Sequence, residues 1–319
     1  MKENYFLQFE PLSKIFYVAD SVIKGCIDNQ KVPMLELSAA DYERLGVSAP
    51  SDDAPLVGFL MGRSGDAYSV DWNYLWAIVH AFAKVKAFAG TGVRLRFLTY
   101  YHCSVQLEDC LGLVLPGGAF ASSELYYTDP RNDEKYASLR QMAYDVSIRV
   151  ALDEGISILG ICAGAQMVAG AFGLKMYRSF DYVETPIQHK TNKPEAHRLN
   201  VFPGTPLQKI FGDENLFFVN SRHNELLVPI KVQRELWAEA HHNFPQSAVA
   251  PLPLDMYAEA NDGTPEAWGA VDKHVLCVQW HPEDMAVAGD KKMLDIYKWL
   301  AEEIQSRLNL KQHIAEQVV

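Results

Sequence analysis

Residues 156–166 run Ile156-Ser157-Ile158-Leu159-Gly160-Ile161-Cys162-Ala163-Gly164-Ala165-Gln166. Ile156, Ile158, Leu159 and Ile161 are apolar and mostly β-branched, which reads as a buried strand. Ala163 to Ala171 then reads as a helix of small residues. Between them, Gly160-Ile161-Cys162-Ala163-Gly164 is a G-x-C-x-G turn from strand to helix, the kind of bend that lifts a nucleophile above a sheet. Its glycines let the backbone turn sharply. The helix behind the cysteine aims free N–H groups and a partial positive charge at the sulfur, which favours the thiolate. The competing reading is a buried cysteine that packs as a small apolar residue.

A nucleophilic thiol needs a base, and the base needs an acceptor to orient it. Val275-Leu276-Cys277-Val278 is an apolar strand that leads into Gln279-Trp280-His281-Pro282-Glu283. It delivers a histidine and, two residues on, a carboxylate. The proline stiffens the connection, so that Glu283 can turn back on the His281 ring. Taken alone, such a histidine also fits a structural role.

With these two segments the sequence resembles the class I glutamine amidotransferase superfamily, and within it the γ-glutamyl hydrolase branch (γ-glutamyl-γ-aminobutyrate hydrolase-like). Four segments carry the resemblance, in the family's order: Leu115-Pro116-Gly117-Gly118, Gly160 to Gln166, Val219-Asn220-Ser221-Arg222-His223, and Val278 to Glu283. The resemblance implies a catalytic triad of Cys162, His281 and Glu283, with no cofactor. It implies an oxyanion hole formed by the backbone N–H groups of Gly118 and Ala163. It places Gln166, Ser221 and His223 against the glutamyl group of a small-molecule γ-glutamyl substrate. Two positions depart from the pattern: Ala163 stands where close relatives often have arginine, and Glu225 where they often have glutamine. Together with Arg222, Glu225 adds charge to the expected pocket rim, which bears on the leaving group rather than on the attack.

Composition describes an ordinary soluble globular protein. The 319 residues are 49% hydrophobic and 22% charged, sufficient for a large core. A net charge of −11 argues against nucleic acid or an anionic membrane as partner. Five cysteines without regular spacing fit a reducing compartment. The start Met-Lys-Glu-Asn-Tyr reads as no leader peptide, and no apolar run approaches the roughly 18 residues of a membrane span. The expected location is the cytoplasm.

Residues 1–54 read as an N-terminal extension to a catalytic domain over 55–308, followed by a loosely held tail over 309–319. In the extension Phe16–Ala19 and Met34–Leu37 read as short strands, Ala39–Leu45 as a turn or two of helix, and Ser48–Pro55 as a linker. It would pack on the core or on a second copy of the chain, or act as a flap over the site. From Leu56 the pattern alternates. Leu56–Met61, Val93–Tyr100 and Leu111–Leu115 read as strands. Trp72, Leu75, Trp76, Val79, Phe82 and Val85 mark a helix within 70–87. Such alternation predicts an α/β, flavodoxin-like, mostly parallel sheet with helices on both faces. Its chemistry would lie at the carboxyl ends of the strands, where Pro116-Gly117-Gly118 and Cys162 both fall.

A helix over Glu134–Leu152 is assigned to packing. Arg178–Pro229 reads as loops with short strands, Leu254–Ala258 as a strand, Glu259–Gly263 as a turn, and Ile296, Leu300 and Ile304 as the apolar face of a closing helix. The pair His241-His242, with Glu239 nearby, has no second ligand cluster to complete a metal site. Two rival functions remain open: a glutaminase that passes ammonia to a partner synthase, and a catalytically silent binding module on the same scaffold.

Overall fold

Leu56–Leu60 is buried at every position, as a strand covered on both faces must be. It is the middle of a ladder in which it pairs in parallel with Arg94–Leu98 on one side and Gly112–Leu115 on the other. The computed structural model describes residues 1–118, 126–128, 139–177, 187–212, 217–240 and 252–318. They fall into two compact units. Unit 1 comprises Met1–Pro116, Val146–Leu159 and Pro282–Val319; unit 2 comprises Gly117–Asp145 and Gly160–His281.

Unit 1 begins with β1 (Lys2–Phe6), β2 (Gln8–Glu10), β3 (Ile15–Ala19), α1 (Asp20–Asp28), β4 (Val32–Glu36) and α2 (Ala39–Arg44). It continues with β5 (Leu56–Leu60), β6 (Gly62–Ser64), β7 (Ala67–Asp71), α3 (Trp72–Ala83), β8 (Arg94–Leu98), α4 (Cys103–Gln106) and β9 (Gly112–Leu115). One sheet runs β1-β4-β8-β5-β9, and a second runs β2-β3-β7-β6. In the first, β1–β4, β5–β8 and β5–β9 are parallel, and β4–β8 is antiparallel.

Residues 1–54 thus lengthen the sheet, β4 joining β8 in antiparallel sense and β1 lying parallel to β4. Leu35 stands opposite Phe97, and the Glu36 carboxylate accepts from Arg96 at 3.0 Å. Ser38 and Asp41 form a reciprocal capping box that starts α2, and Tyr42 on that helix accepts the Leu95 N–H through its hydroxyl at 3.1 Å. Helix α3 buries Leu75, Ile78, Val79 and Phe82. Of the expected stripe, Trp72 and Trp76 are only half-buried, and Trp76 stacks on His80 with ring centroids 4.2 Å apart.

Unit 2 carries β10 (Tyr126–Thr128), the first residues of α5 (Leu139–Asp153), the end of β11 (Ser157–Ile161), α6 (Ala163–Ala171), β12 (Met176–Tyr177), β13 (His197–Val201) and α7 (Pro206–Phe211). Then come β14 (Phe217–Val219), β15 (Leu226–Leu227), α8 (Ile230–Ala240), β16 (Asp255–Ala260), β17 (Pro265–Ala270) and β18 (Val275–Val278). Strands β18-β17-β16-β13-β14 are antiparallel throughout, and β10-β12-β15 form a small sheet.

The sequence pattern gives no sign of β17. Its six residues are all buried, so no alternation marks it. The expected turn at Glu259–Gly263 begins later, because β16 runs through Ala260. Gly269 of β17 is required by crowding: a Cβ there would collide with the Val275 carbonyl and come within 2.7 Å of the Tyr257 ring.

Helices α9 (Pro282–Val287) and α10 (Lys291–Val318) complete unit 1. Ile296, Leu300 and Ile304 are buried as expected. A Cβ on Gly112 would sit 2.9 Å from Ile304 Cδ1 and 3.3 Å from Leu300 Cδ1, so the glycine lets α10 lie against β9. The helix also runs through residues 309–318, where the sequence suggests a loose tail. The N-terminal part of the helix expected over Glu134–Leu152 lies outside the described residues, as do His241 and His242.

Candidate active site

Cys162 sits between β11 and α6 with φ 50° and ψ −110°. A non-glycine residue adopts that conformation only when its surroundings impose it, and here they do. The Cys162 N–H donates to the Val278 carbonyl at 2.9 Å, and its carbonyl accepts from the Gln166 N–H at 3.1 Å. Two residues before it, a Cβ on Gly160 would lie 3.0 Å from both Ala165 Cα and Cys277 Sγ. The first glycine of the G-x-C-x-G turn therefore lets α6 press against the strand. Trp268 Nε1 donates to the Ala165 carbonyl at 3.2 Å and holds the start of α6 from the other side.

The sulfur's residue is 7% exposed, and no side chain caps the helix behind it. The N–H groups of the first turn, Ala163 among them, are thus not taken up by a capping side chain. Cys277 lies against Gly160 of the turn with no exposed surface, and burial pushes its thiol pKa well up.

The Pro116-Gly117-Gly118 turn follows β9. Gly118 has φ +135°, and a Cβ there would run into the Arg140 guanidinium. Arg140 Nη2 donates to the Gly117 carbonyl at 2.8 Å and to the Tyr144 hydroxyl at 2.9 Å. In a trans peptide the C=O and the following N–H point in opposite directions. Arg140 therefore fixes where the Gly118 N–H points. Burial raises the Tyr144 phenol pKa against the pull of Arg140, and the neighbouring Cys162 adds to the rise. Both residues stand on α5, a helix whose sequence suggests packing alone.

His281 is held by its backbone. Its N–H donates to Asn220 Oδ1 at 2.8 Å, and its carbonyl accepts from Asn220 Nδ2 at 2.8 Å. One side-chain amide thus grips both polar groups of the residue. Just upstream, the Gln279 N–H donates to the Glu266 carbonyl at 2.8 Å, which aligns β18 with β17. Glu283, in the first turn of α9, is buried in unit 1 and accepts from the Tyr297 hydroxyl at 3.3 Å.

Gln166, Ser221 and His223 are all buried in unit 2. Gln166 Nε2 donates to the Glu225 carbonyl at 2.9 Å and to Gln279 Oε1 at 3.1 Å. His223 Nδ1 lies 2.9 Å from that same Glu225 carbonyl. Gln166 and His223 are thus brought together through one backbone oxygen. The Ser221 hydroxyl has no hydrogen-bond partner among the described residues. Arg140 and Asn220 escape the sequence reading of the site. Asn220 lies inside the Val219–His223 motif, which is the signal that could have singled it out; Arg140 is part of no motif.

Residues 55–283 match the Peptidase C26 family. Two relatives carry provisional glutamine amidotransferase names. The glutamine amidotransferase-like protein YvdE of Lactococcus lactis is 30% identical over 192 residues, 58% of this chain and 72% of its own length. A glutamine amidotransferase of Schizosaccharomyces pombe is 28% identical over 177 residues, 54% of this chain and 61% of its own length. The crystal structure of a Thermoplasma acidophilum protein, provisionally named as part of a GMP synthase, superposes with a TM-score of 0.50 at 18% identity, over 81% of this chain and 98% of that one. It shares the α/β fold expected from the sequence. The family and the relatives support cysteine-dependent amide hydrolysis of the glutamine amidotransferase type. With the family matched across the Gly117-Gly118, Cys162 and His281 segments alike, the chain belongs to the Peptidase C26 family of the class I glutamine amidotransferase-like superfamily.

Proposed function

We propose that the protein hydrolyses a γ-glutamyl amide through a thioester on Cys162. The observation that carries this reading is the forced backbone of Cys162 at the head of α6, φ 50° and ψ −110°. His281 takes the thiol proton as Cys162 Sγ attacks the γ-carbonyl carbon. The oxyanion is met by the N–H groups of Ala163 and Gly118, in an arrangement where one donor is worth about 10²–10³ in rate. The C–N bond breaks as His281 returns the proton to the leaving amine. Water, deprotonated by His281, then cleaves the thioester and releases glutamate. Glu283 fixes the imidazole tautomer. The buried Ser221 hydroxyl and the Gln166 amide hold the glutamyl head, with His223 behind them. No cofactor enters these steps.

The test is glutamate release from a panel of γ-glutamyl amides and glutamine, with Cys162→Ala as control. Release from a γ-glutamyl amide that falls by about 10³-fold or more in the variant supports the reading. Release unchanged in Cys162→Ala overturns it. The relatives' names favour one further reading, a glutaminase that supplies ammonia to a partner synthase. In that case glutamine is cleaved only when the partner is added.

A further inference from the structure

Four buried side chains of unit 2 form a cluster that the attack on the amide does not use. His189 Nδ1, His197 Nε2 and His223 Nε2 lie 3.2, 3.4 and 3.5 Å from a single oxygen, Glu266 Oε1. The four atoms fall within 4.8 Å of one another. None of the four residues is more than 4% exposed. They come from separate parts of the chain: His189 beside the Lys190–Arg222 bridge, His197 at the start of β13, His223 in the turn after β14, and Glu266 in β17.

The other nitrogen of each ring faces an oxygen acceptor. His189 Nε2 lies 3.0 Å from Asp262 Oδ2, His223 Nδ1 lies 2.9 Å from the Glu225 carbonyl, and His197 Nδ1 lies 3.4 Å from the Arg198 carbonyl. A neutral imidazole carries its one proton on the nitrogen that faces an acceptor, so the inner nitrogens present lone pairs. Those lone pairs face a carboxylate. Its second oxygen accepts no hydrogen bond among the described residues.

We propose that His189, His197, His223 and Glu266 bind a divalent transition-metal ion, with Zn²⁺ the best match to three imidazoles and one carboxylate. Bonds of about 2.0–2.2 Å place tetrahedral ligand atoms about 3.3–3.6 Å apart. The three separations around Glu266 Oε1 already have that size. Asp262 behind His189 is the outer carboxylate that such a ligand commonly uses. Four protein ligands leave no position for water, so the ion is structural. It ties β13, β17 and the 220–225 turn together, and that turn carries the Asn220 grip on His281.

The experiment measures metal content of the full-length protein by mass spectrometry after removal of any polyhistidine tag, in wild type, His197→Gln and Glu266→Gln. Metal-depleted wild type is then titrated with Co²⁺ and with Zn²⁺. The expected result is about one equivalent per chain, intense visible Co²⁺ bands of tetrahedral type, and a Tm that rises with Zn²⁺ and falls with chelator. In the variants metal content falls severalfold and the Zn²⁺ response of Tm is lost. Should the variants fail to fold, the wild-type titration decides alone. A folded wild type with no stoichiometric metal, no Co²⁺ spectrum and no Zn²⁺ shift in Tm overturns the proposal and leaves a hydrogen-bonded ion-pair network.

Discussion

Replacing Arg140 by alanine removes the donor that fixes the Gly117–Gly118 peptide without touching Cys162, His281 or the helix behind the sulfur. The bond lost is a charged guanidinium to a backbone carbonyl at 2.8 Å, an interaction worth about 1.5–3 kcal/mol. If that energy is what holds the Gly118 N–H on the oxyanion, kcat falls by about 10- to 100-fold. Most of that range lies below the 10²–10³ expected for complete loss of one donor. KM should move little, because the donor acts on charge that develops after binding. The assay is glutamate release at saturating and limiting substrate, with melting curves of Arg140→Ala, Arg140→Lys and wild type. Lysine can still donate to the Gly117 carbonyl and should recover part of kcat. A kcat within about twofold of wild type in Arg140→Ala, or a loss carried by KM alone, refutes the assignment of Arg140 as the residue that aims this peptide.

Two further changes separate positioning from stability. Asn220→Ala deletes both hydrogen bonds to the His281 backbone; it should lower kcat by about 10-fold or more at roughly 1–3 kcal/mol of lost interaction, and unchanged kcat in a folded variant would contradict the grip. Asp20, buried at the start of α1, is paired with Lys24 and Arg63 at 2.8 Å each. The hydrogen bond from Lys24, with that from Arg63, outweighs burial and depresses its pKa. Its folded pKa lies below its unfolded one, so its stabilisation is complete above about pH 4 and is lost as the pH falls further. Asp20→Asn should melt lower than wild type at neutral pH and show a shallower decline of Tm below about pH 4; parallel melting curves across that range would show that the pairing contributes nothing.

What the sequence reveals and what it hides divide along the range of the interactions. The bend at Cys162 is local: strand, glycines and helix lie within a short stretch, and composition alone announces them. The parallel strands β5, β8 and β9 are legible for the same reason, β5 and β9 being short apolar runs and β8 a run of apolar residues interleaved with Arg94 and Arg96, each set apart by helix or turn. Strand β17 is hidden because all six of its residues are buried, which erases the two-residue period. Helix α1 is missed because its nine residues bury only Asp20, Ile23 and Cys26, too few to set a period. The histidine cluster spans positions 189 to 266 and has no ligand spacing for a sequence to show. It forms only when antiparallel strands set β13 and β17 in register. The adjacent pair His241-His242 is a local feature of the sequence, whereas the His189, His197, His223 and Glu266 cluster is tertiary.

The two departures from the family pattern gain a physical reading from the same geometry. At position 225 the groups that matter are backbone: Gln166 Nε2 and His223 Nδ1 both meet the carbonyl of Glu225, not its carboxylate. At position 163 the proposed oxyanion donor is again the backbone N–H, at the first residue of α6. A change of side chain at either place leaves these backbone bonds available, so the side chains there can vary while the backbone frame stays fixed. That separation would not hold at Gly160 or Gly118, where the absence of a side chain is itself the requirement: a Cβ at the first meets Ala165 and Cys277, and at the second the Arg140 guanidinium. The positions free to change and the positions held fixed are therefore set by whether backbone or side chain makes the contact, and the departures in this chain fall on the free ones.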